Sequence, residues 1–128
     1  MNTDSVLVID ADAERREQLK VLFEFIDYHQ VVDAGYGGWE QSLEKTDAPP
    51  RVALVGLNGS EEQARQEVGS LRVRFPQTPV LLVGEGEAPD PTALPPGVVG
   101  QITFPPTYSQ LVTYLHRAEI FFDSVQRR

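Results

Sequence analysis

The stretch Ser5-Val-Leu-Val-Ile-Asp10 is a continuous apolar run that stops at an acid. Such a run is expected for a strand whose two faces are both covered by helices, as in a parallel sheet. Four similar runs follow, separated by helix-like stretches: Val31 to Val32, Val52 to Leu57, Val80 to Val83 and Val98 to Thr103. This alternation predicts an α/β fold with a five-stranded parallel sheet and helices on both faces.

The composition fits one domain spanning residues 1–128, because 41% hydrophobic residues can fill a single core. A net charge of -8 opposes direct nucleic-acid binding, which needs clustered Lys and Arg. The absence of cysteine excludes disulfides, thiol catalysis and cysteine-based zinc sites. The acidic start leads into only four apolar residues, too few for a signal peptide or a membrane span. We therefore expect a cytoplasmic protein without membrane contact.

Helix signals lie between the predicted strands. Asp12 can cap a first helix. The apolar stripe of this helix recurs at spacings of three and four: Leu19, Leu22, Phe23 and Ile26. Ser60-Glu-Glu-Gln63 has a capping-box arrangement for another helix, which should stop at Pro76. A short helix is expected around Trp39, and the proline-rich stretch from Glu85 to Gly100 predicts a loop or a single turn where a fourth helix would stand.

The segment after the last predicted strand indicates a long helix with more apolar residues than one face can hold. Six of them follow alternating spacings of three and four: Tyr108, Leu111, Leu115, Ala118, Phe122 and Val125. The first five are the candidate interface residues. This stripe could pack on the sheet, or it could form an interface with a second subunit or a helical linker. Both interpretations stay open from the sequence, and the closeness of the stripe to Arg128 favours the interface.

The stretches Val6 to Asp10, Val52 to Gly56, Pro79 to Gly84 and Gly100 to Pro105 resemble the receiver family of response regulators. The resemblance implies a flavodoxin-like, three-layer fold with strand order 2-1-3-4-5. In receivers, the loops after the first, third, fourth and fifth strands carry an acidic pair, a phosphorylatable Asp, a Ser or Thr, and a Lys before a proline. The matching positions form a degenerate phosphoacceptor pocket: Asp10, Ala11, Gly56, Gly84, Phe104 and Pro105.

Receiver phosphorylation is therefore expected to be lost. No Asp occurs between Asp47 and Asp90, and the only lysines are Lys20 and Lys45, which do not belong to the fifth strand. Magnesium needs one or two well-placed carboxylates, and Asp10 stands without a second acid beside it. Asp10 could be a residual metal ligand, but a loop acid that accepts hydrogen bonds from backbone N–H groups is favoured. We predict no enzyme activity, no metal and no cofactor, with an aromatic plug at the lysine position.

A closer resemblance depends on four features of the chain: Gly56 in place of the phosphoacceptor, Val83-Gly-Glu85, Phe104-Pro-Pro-Thr-Tyr-Ser109, and Leu115-His-Arg-Ala118. These features are similar to the amino-terminal domain of the FleQ family of flagellar regulators. The resemblance implies the regulatory fragment of a sigma-54-dependent activator of flagellar and biofilm genes, without its AAA+ ATPase and helix-turn-helix domains. It implies four partners: a second copy of the chain, its own AAA+ domain, sigma-54 RNA polymerase and an antiactivator ATPase. The family responds to cyclic di-GMP through the ATPase domain, so this nucleotide is not assigned to the present chain.

Three hypotheses for function follow. The leading one is a phosphorylation-independent regulatory and dimerisation domain that acts by packing. The alternative is a small-ligand or protein-partner sensing module, since crevices at the carboxyl ends of parallel strands hold ligands in flavodoxin-like folds. A conventional phosphoreceiver is the least favoured, because the nucleophilic Asp and the Lys are missing.

Overall fold

Five parallel strands form the centre of the domain. A computed structural model describes residues 5–25, 30–36, 38–39, 50–57, 61–84, 94 and 97–126, of which 30, 61 and 119–126 by their backbone alone. The strands are β1 (Ser5–Ile9), β2 (Gln30–Ala34), β3 (Val52–Gly56), β4 (Val80–Gly84) and β5 (Val98–Thr103). Their order in the sheet is β2-β1-β3-β4-β5, which confirms the order 2-1-3-4-5.

The burial of each strand follows from its place in the sheet. β1, β3 and β4 lie inside the sheet and are buried along their whole length, as their continuous apolar runs predict. β5 lies at an edge and alternates between buried and half-buried residues. The apolar runs of the sequence therefore mark the central strands of a sheet that is covered on both faces.

The helices in the described part of the chain are α1 (Ala13–Phe25), α2 (Glu61–Arg74) and α3 (Tyr108–Gln126). The carboxylate of Asp12 accepts hydrogen bonds from the N–H groups of Glu14 and Arg15, at 2.9 and 3.4 Å. The predicted cap of the first helix is thus confirmed. α2 ends just before Pro76, as the sequence indicates.

The start of α3 is fixed by contacts that the sequence interpretation missed. The hydroxyl of Thr107 accepts a hydrogen bond from the N–H of Gln110 at 3.1 Å, and the Gln110 side chain accepts one from the N–H of Thr107 at 3.4 Å. This reciprocal pair is a capping box. Further along, Tyr114 lies so close to Gly100 of β5 that an added Cβ would stand 2.7 Å from Tyr114 Cδ1. A side chain at position 100 would therefore force the Tyr114 ring to move where α3 packs on the edge strand.

Apolar side chains fill the space on both faces of the sheet. On one face, α1 and α3 contribute Leu19, Phe23, Leu111, Leu115 and Ala118. On the other face, α2 contributes Ala64, Val68 and Leu71, next to Trp39. The indole N–H of Trp39 donates a hydrogen bond to Glu67 at 3.0 Å, which gives the buried Glu67 carboxylate a partner. The arrangement is the three-layer receiver-like fold.

Some predictions fall outside the described residues. They concern Ile26, the part beyond Trp39 of the helix expected around that residue, Ser60 of the capping box, and residues 85–93 and 95–96 of the proline-rich stretch. The single domain over 1–128 also stays a prediction. Among the described helices, none combines the length and the apolar character needed to cross a membrane.

Phe23 and Phe25 provide a matched test of how α1 packs, because Phe23 is fully buried and Phe25 is 81% exposed. Phe23→Ala should lower the free energy of unfolding by about 3–5 kcal/mol, since it removes buried apolar surface and leaves a cavity. Phe25→Ala should change it by less than about 0.5 kcal/mol. Urea denaturation followed by Trp39 fluorescence measures both values. Equal losses for the two variants would contradict the packing of α1.

Candidate functional site

Parallel strand pairing brings the predicted pocket residues to one edge of the sheet. Asp10 follows β1, Gly56 and Gly84 end β3 and β4, and Phe104 follows β5. The register pairs Gly56 with Val83, so the carboxyl ends of the central strands are level. This edge is where flavodoxin-like folds bind ligands, and it is the candidate site.

Asp10 is fully buried at this edge. Its Oδ1 accepts a hydrogen bond from the N–H of Asp12 at 2.9 Å, and its own N–H donates to the carbonyl of Ala34 at 3.1 Å. The contact with the Asp12 N–H is the kind of bond that the sequence analysis favoured for this acid. A carboxylate at this depth also needs a charged partner to offset its lost hydration.

Arg15 provides that partner, although it was not among the predicted site residues. Its Nε lies 3.4 Å from Oδ2 of Asp10, and its Nη2 donates to the carbonyl of Val83 at 3.3 Å. The guanidinium carbon lies 4.8 Å from the centre of the Phe104 ring, which is within cation–π distance. The Arg15 side chain therefore runs from α1 to the ends of β4 and β5 and places a positive charge inside the candidate site.

Neighbouring polar groups hold this edge of the sheet in position. Arg16 donates to the carbonyl of Asp10 at 2.8 Å, and its Nε lies 3.6 Å from the carboxylate of Asp33 on β2. The hydroxyl of Tyr36 donates to the carbonyl of Gly56. These contacts connect β1, β2 and β3 around the buried Asp10 carboxylate.

Gly56 has no room for a side chain, although it matches the receiver phosphoacceptor. A Cβ added to Gly56 would lie 2.5 Å from Cγ of Asp10 and closer still to Oδ2. Carbon atoms in proteins pack at about 3.5–4.0 Å, so such a Cβ would overlap the carboxylate. Asp10 therefore fills the space that a side chain at position 56 would need.

The other predicted pocket residues have different surroundings. A Cβ added to Gly84 would lie 3.1 Å from Cδ1 of Leu57 and 3.2 Å from Nε2 of Gln101, so a side chain there would crowd both neighbours. Ala11 and Pro105 are exposed, and the peptide bond between Phe104 and Pro105 is cis. Phe104 is half-buried and packs against the core, consistent with an aromatic plug.

The residues at this edge do not fit the magnesium ion that the receiver fold implies. Magnesium takes oxygen ligands in near-octahedral geometry. Here the Asp10 carboxylate faces the Arg15 guanidinium, and the Asp12 carboxylate is bound to N–H groups at the start of α1. Within the part of the chain that the structure describes, no three acidic or histidine side chains are grouped closely enough to hold a metal.

Comparison with known families identifies the chain. The family model of the flagellar regulatory protein FleQ matches residues 5–120. The chain belongs to the FleQ family. The match includes all five strands and the whole candidate site, which agrees with the resemblance seen in the sequence.

Solved structures similar to this FleQ-family domain share its fold. A response regulator receiver domain from Clostridium thermocellum has a TM-score of 0.76 and 16% identity, and the match covers 95% of this chain and 98% of that one. An adenylate cyclase from Rhodopirellula baltica has a TM-score of 0.76 and 18% identity, and the match covers 97% of this chain and 93% of that one. NtrX from Brucella abortus has a TM-score of 0.76 and 15% identity, and the match covers 96% of this chain and 28% of that one. At these identities the likeness shows the receiver fold alone.

Most of the residues predicted to form an interface belong to the core of the FleQ-family domain. The buried ones are Leu111, Leu115 and Ala118, which α3 packs against the sheet. For these three, packing on the sheet is the interpretation that holds. Tyr108 is exposed, as is Val112 one turn further along, and the side chain of Phe122 lies outside the described residues. An interface on α3 stays a prediction.

Removing Arg15 should destabilise the domain strongly. Arg15→Ala leaves the Asp10 carboxylate buried without its cation, and breaking a buried ion pair in this way costs about 3–5 kcal/mol of unfolding free energy. Arg65→Ala is the matched control, because Arg65 is exposed on α2. This substitution should change the free energy of unfolding by less than about 0.5 kcal/mol. Urea denaturation of the two variants measures the difference. A loss below about 1 kcal/mol for Arg15→Ala, as for a surface pair, would contradict the importance of the ion pair.

Gly56→Ala should also destabilise the domain, by about 1–3 kcal/mol, because its methyl group overlaps the Asp10 carboxylate. Gly69→Ala on α2 is the control, since nothing lies within 4 Å of its added Cβ, and helix propensity should make it neutral or stabilising by about 0.5–1 kcal/mol. In an Asp10→Ala background the added loss from Gly56→Ala should shrink. If the loss is the same in both backgrounds, Asp10 does not fill this space.

Proposed function

We propose that this FleQ-family receiver domain regulates transcription without being phosphorylated. The observation that carries the proposal is the ion pair between Asp10 and Arg15, which lies beside Gly56 where receivers hold the phosphoacceptor. The domain is proposed to be a cytoplasmic, non-enzymatic module that acts through binding.

The chemical requirements of phosphoryl transfer support this proposal. It needs a nucleophilic carboxylate, together with cations that offset the charge of the phosphoryl group. Gly56 has no side chain, and the Asp10 carboxylate is already held by Arg15. Phe104 stands at the position that matches the receiver lysine, with its ring under the guanidinium. The positive charge at the site is thus balanced by an acid of the same chain.

The internal ion pair also supports a constitutive state of the domain. Both charges belong to side chains of the unmodified chain. The contacts that join α1 to β4 and to Phe104 therefore form without covalent modification. We propose that changes in activity come from association, where a partner adds or removes contacts on the surface.

Association through α3 is the proposed mode of action. Tyr108 and Val112 lie on its exposed side, while Leu111 and Leu115 hold the helix to the sheet. If α3 leads into an AAA+ ATPase domain, pairing of two receivers would set the spacing of the ATPase subunits. The proposed partners are a second copy of the chain, its AAA+ domain, sigma-54 RNA polymerase and an antiactivator ATPase. Flagellar and biofilm genes would be reached through a separate helix-turn-helix domain.

Small-ligand sensing, the alternative from the sequence, has less support. The crevice that a flavodoxin-like fold offers to a ligand is filled here by the Asp10 and Arg15 side chains. A ligand would have to displace a buried ion pair to enter, which is energetically unfavourable.

Sedimentation velocity on the 128-residue chain tests this proposal. We expect a concentration-dependent dimer whose population does not change with beryllofluoride and magnesium, because the site offers them no carboxylate nucleophile. Val112→Glu should raise the dimer dissociation constant about tenfold or more by burying a charge in the interface. Val73→Glu is the matched control, since Val73 is 87% exposed on α2.

Two outcomes would contradict the proposal. A shift in sedimentation with beryllofluoride would contradict independence from phosphorylation. A monomer at every concentration, or equal effects of the two glutamate variants, would contradict association through α3.

A further inference from the structure

The outer side of α1 carries two large apolar side chains that contribute nothing to the core. Val21 is 53% exposed and Phe25 is 81% exposed, and they lie four residues apart on the same side of the helix. The opposite side of α1 is the one that packs on the sheet, through Leu19 and Phe23. We call the pair Val21 and Phe25 the α1 ridge.

The surroundings of the α1 ridge are acidic. Three exposed glutamates lie on the same helix: Glu14, Glu17 and Glu24. Glu17 precedes Val21 by one turn, and Glu24 lies three residues after Val21, so both are neighbours of the ridge on the helix surface. The ridge therefore has the composition of an interaction site, with an apolar centre and a charged rim.

The basic residues of α1 do not balance these glutamates, because their charges are directed to other acids. Arg15 is buried against Asp10, with 3.4 Å between Nε and Oδ2. Arg16 and Lys20 both approach the carboxylate of Asp33 on β2, at 3.6 and 4.0 Å. The inner and β2-facing sides of α1 are thus neutralised, and the outer side keeps its negative charge.

We propose that the α1 ridge docks a basic amphipathic helix of a partner protein. The partner would present apolar side chains one turn apart to Val21 and Phe25, with Lys or Arg beside them to meet Glu17 and Glu24. Apolar burial would provide affinity, and the opposite charges would set orientation and the rate of association.

Charge complementarity favours this occupant over the others. Two α1 ridges packed on each other would bring glutamates against glutamates, which is unfavourable. Nucleic acids and anionic membranes would be repelled by the same glutamates and by the net charge of -8. The α1 ridge lies on a different helix from Tyr108 and Val112 of α3, so this inference goes beyond the proposed self-association.

Fluorescence anisotropy with a defined probe tests the inference. The probe is a fluorescein-labelled helical peptide of about five turns, with leucines on one face and lysines elsewhere. We expect it to bind the 128-residue chain with an affinity that falls as salt is added. The control peptide keeps the leucines and replaces every lysine with glutamate, and it should not bind.

Matched variants locate the binding site. Val21→Ser and Phe25→Ser should each weaken binding about tenfold, whereas Val73→Ser on α2 should not change it. Glu17→Gln combined with Glu24→Gln should weaken binding and flatten its salt dependence, while Glu62→Gln, on the exposed side of α2, should have no effect. These positions are exposed, and circular dichroism should show that every variant stays folded.

Other outcomes would overturn the inference. Equal effects of Val21→Ser and Val73→Ser would mean that the peptide binds by charge alone. Loss of self-association in Phe25→Ser, measured by sedimentation velocity, would mean that the ridge belongs to an interface between copies of the chain. If the α1 ridge binds the peptide as expected while the chain remains monomeric, only the proposed function is contradicted. Failure of the proposed function and failure of this inference are therefore distinguishable.

Discussion

The ion pair between Asp10 and Arg15 is the interaction on which the carboxyl edge of the sheet depends. A fully buried carboxylate is unfavourable by itself, and the guanidinium 3.4 Å away offsets that penalty. The same guanidinium contacts the carbonyl of Val83 and the ring of Phe104. One side chain thus connects α1, the end of β4 and the loop after β5, and its loss would disturb all three.

Gly56 and the ion pair depend on each other. A side chain at position 56 would push the Asp10 carboxylate out of its place, and Arg15 would then lose its partner. We propose that the domain differs from a phosphorylatable receiver by this repacking of the site as well as by the residues that it lacks. Restoring an acceptor would require the Asp10 carboxylate to leave this space at the same time, which favours a domain that works through binding.

Much of the fold could be predicted from the sequence, because apolar runs and turn residues report local structure directly. The strands, their order and the Asp12 cap are confirmed. The role of Arg15 was missed because an arginine in the first turn of a helix is normally solvated. Its spacing of four from Leu19 placed it on the inner face of α1, and that was the available signal. The periodicity of Leu111 and Leu115 likewise identified a buried stripe, but periodicity does not say whether a sheet or a partner covers it.

The most direct test of the ion pair is to observe the Nε–H group of Arg15 by NMR in solution. A guanidinium held by the buried Asp10 and stacked on Phe104 should give a separate resonance that exchanges slowly with water and shows nuclear Overhauser effects to the Phe104 ring. In Asp10→Ala this protection should disappear. Rapid exchange in the unmodified chain, without contacts to Phe104, would contradict the proposal that an internal ion pair occupies the place of a receiver's phosphoacceptor pocket.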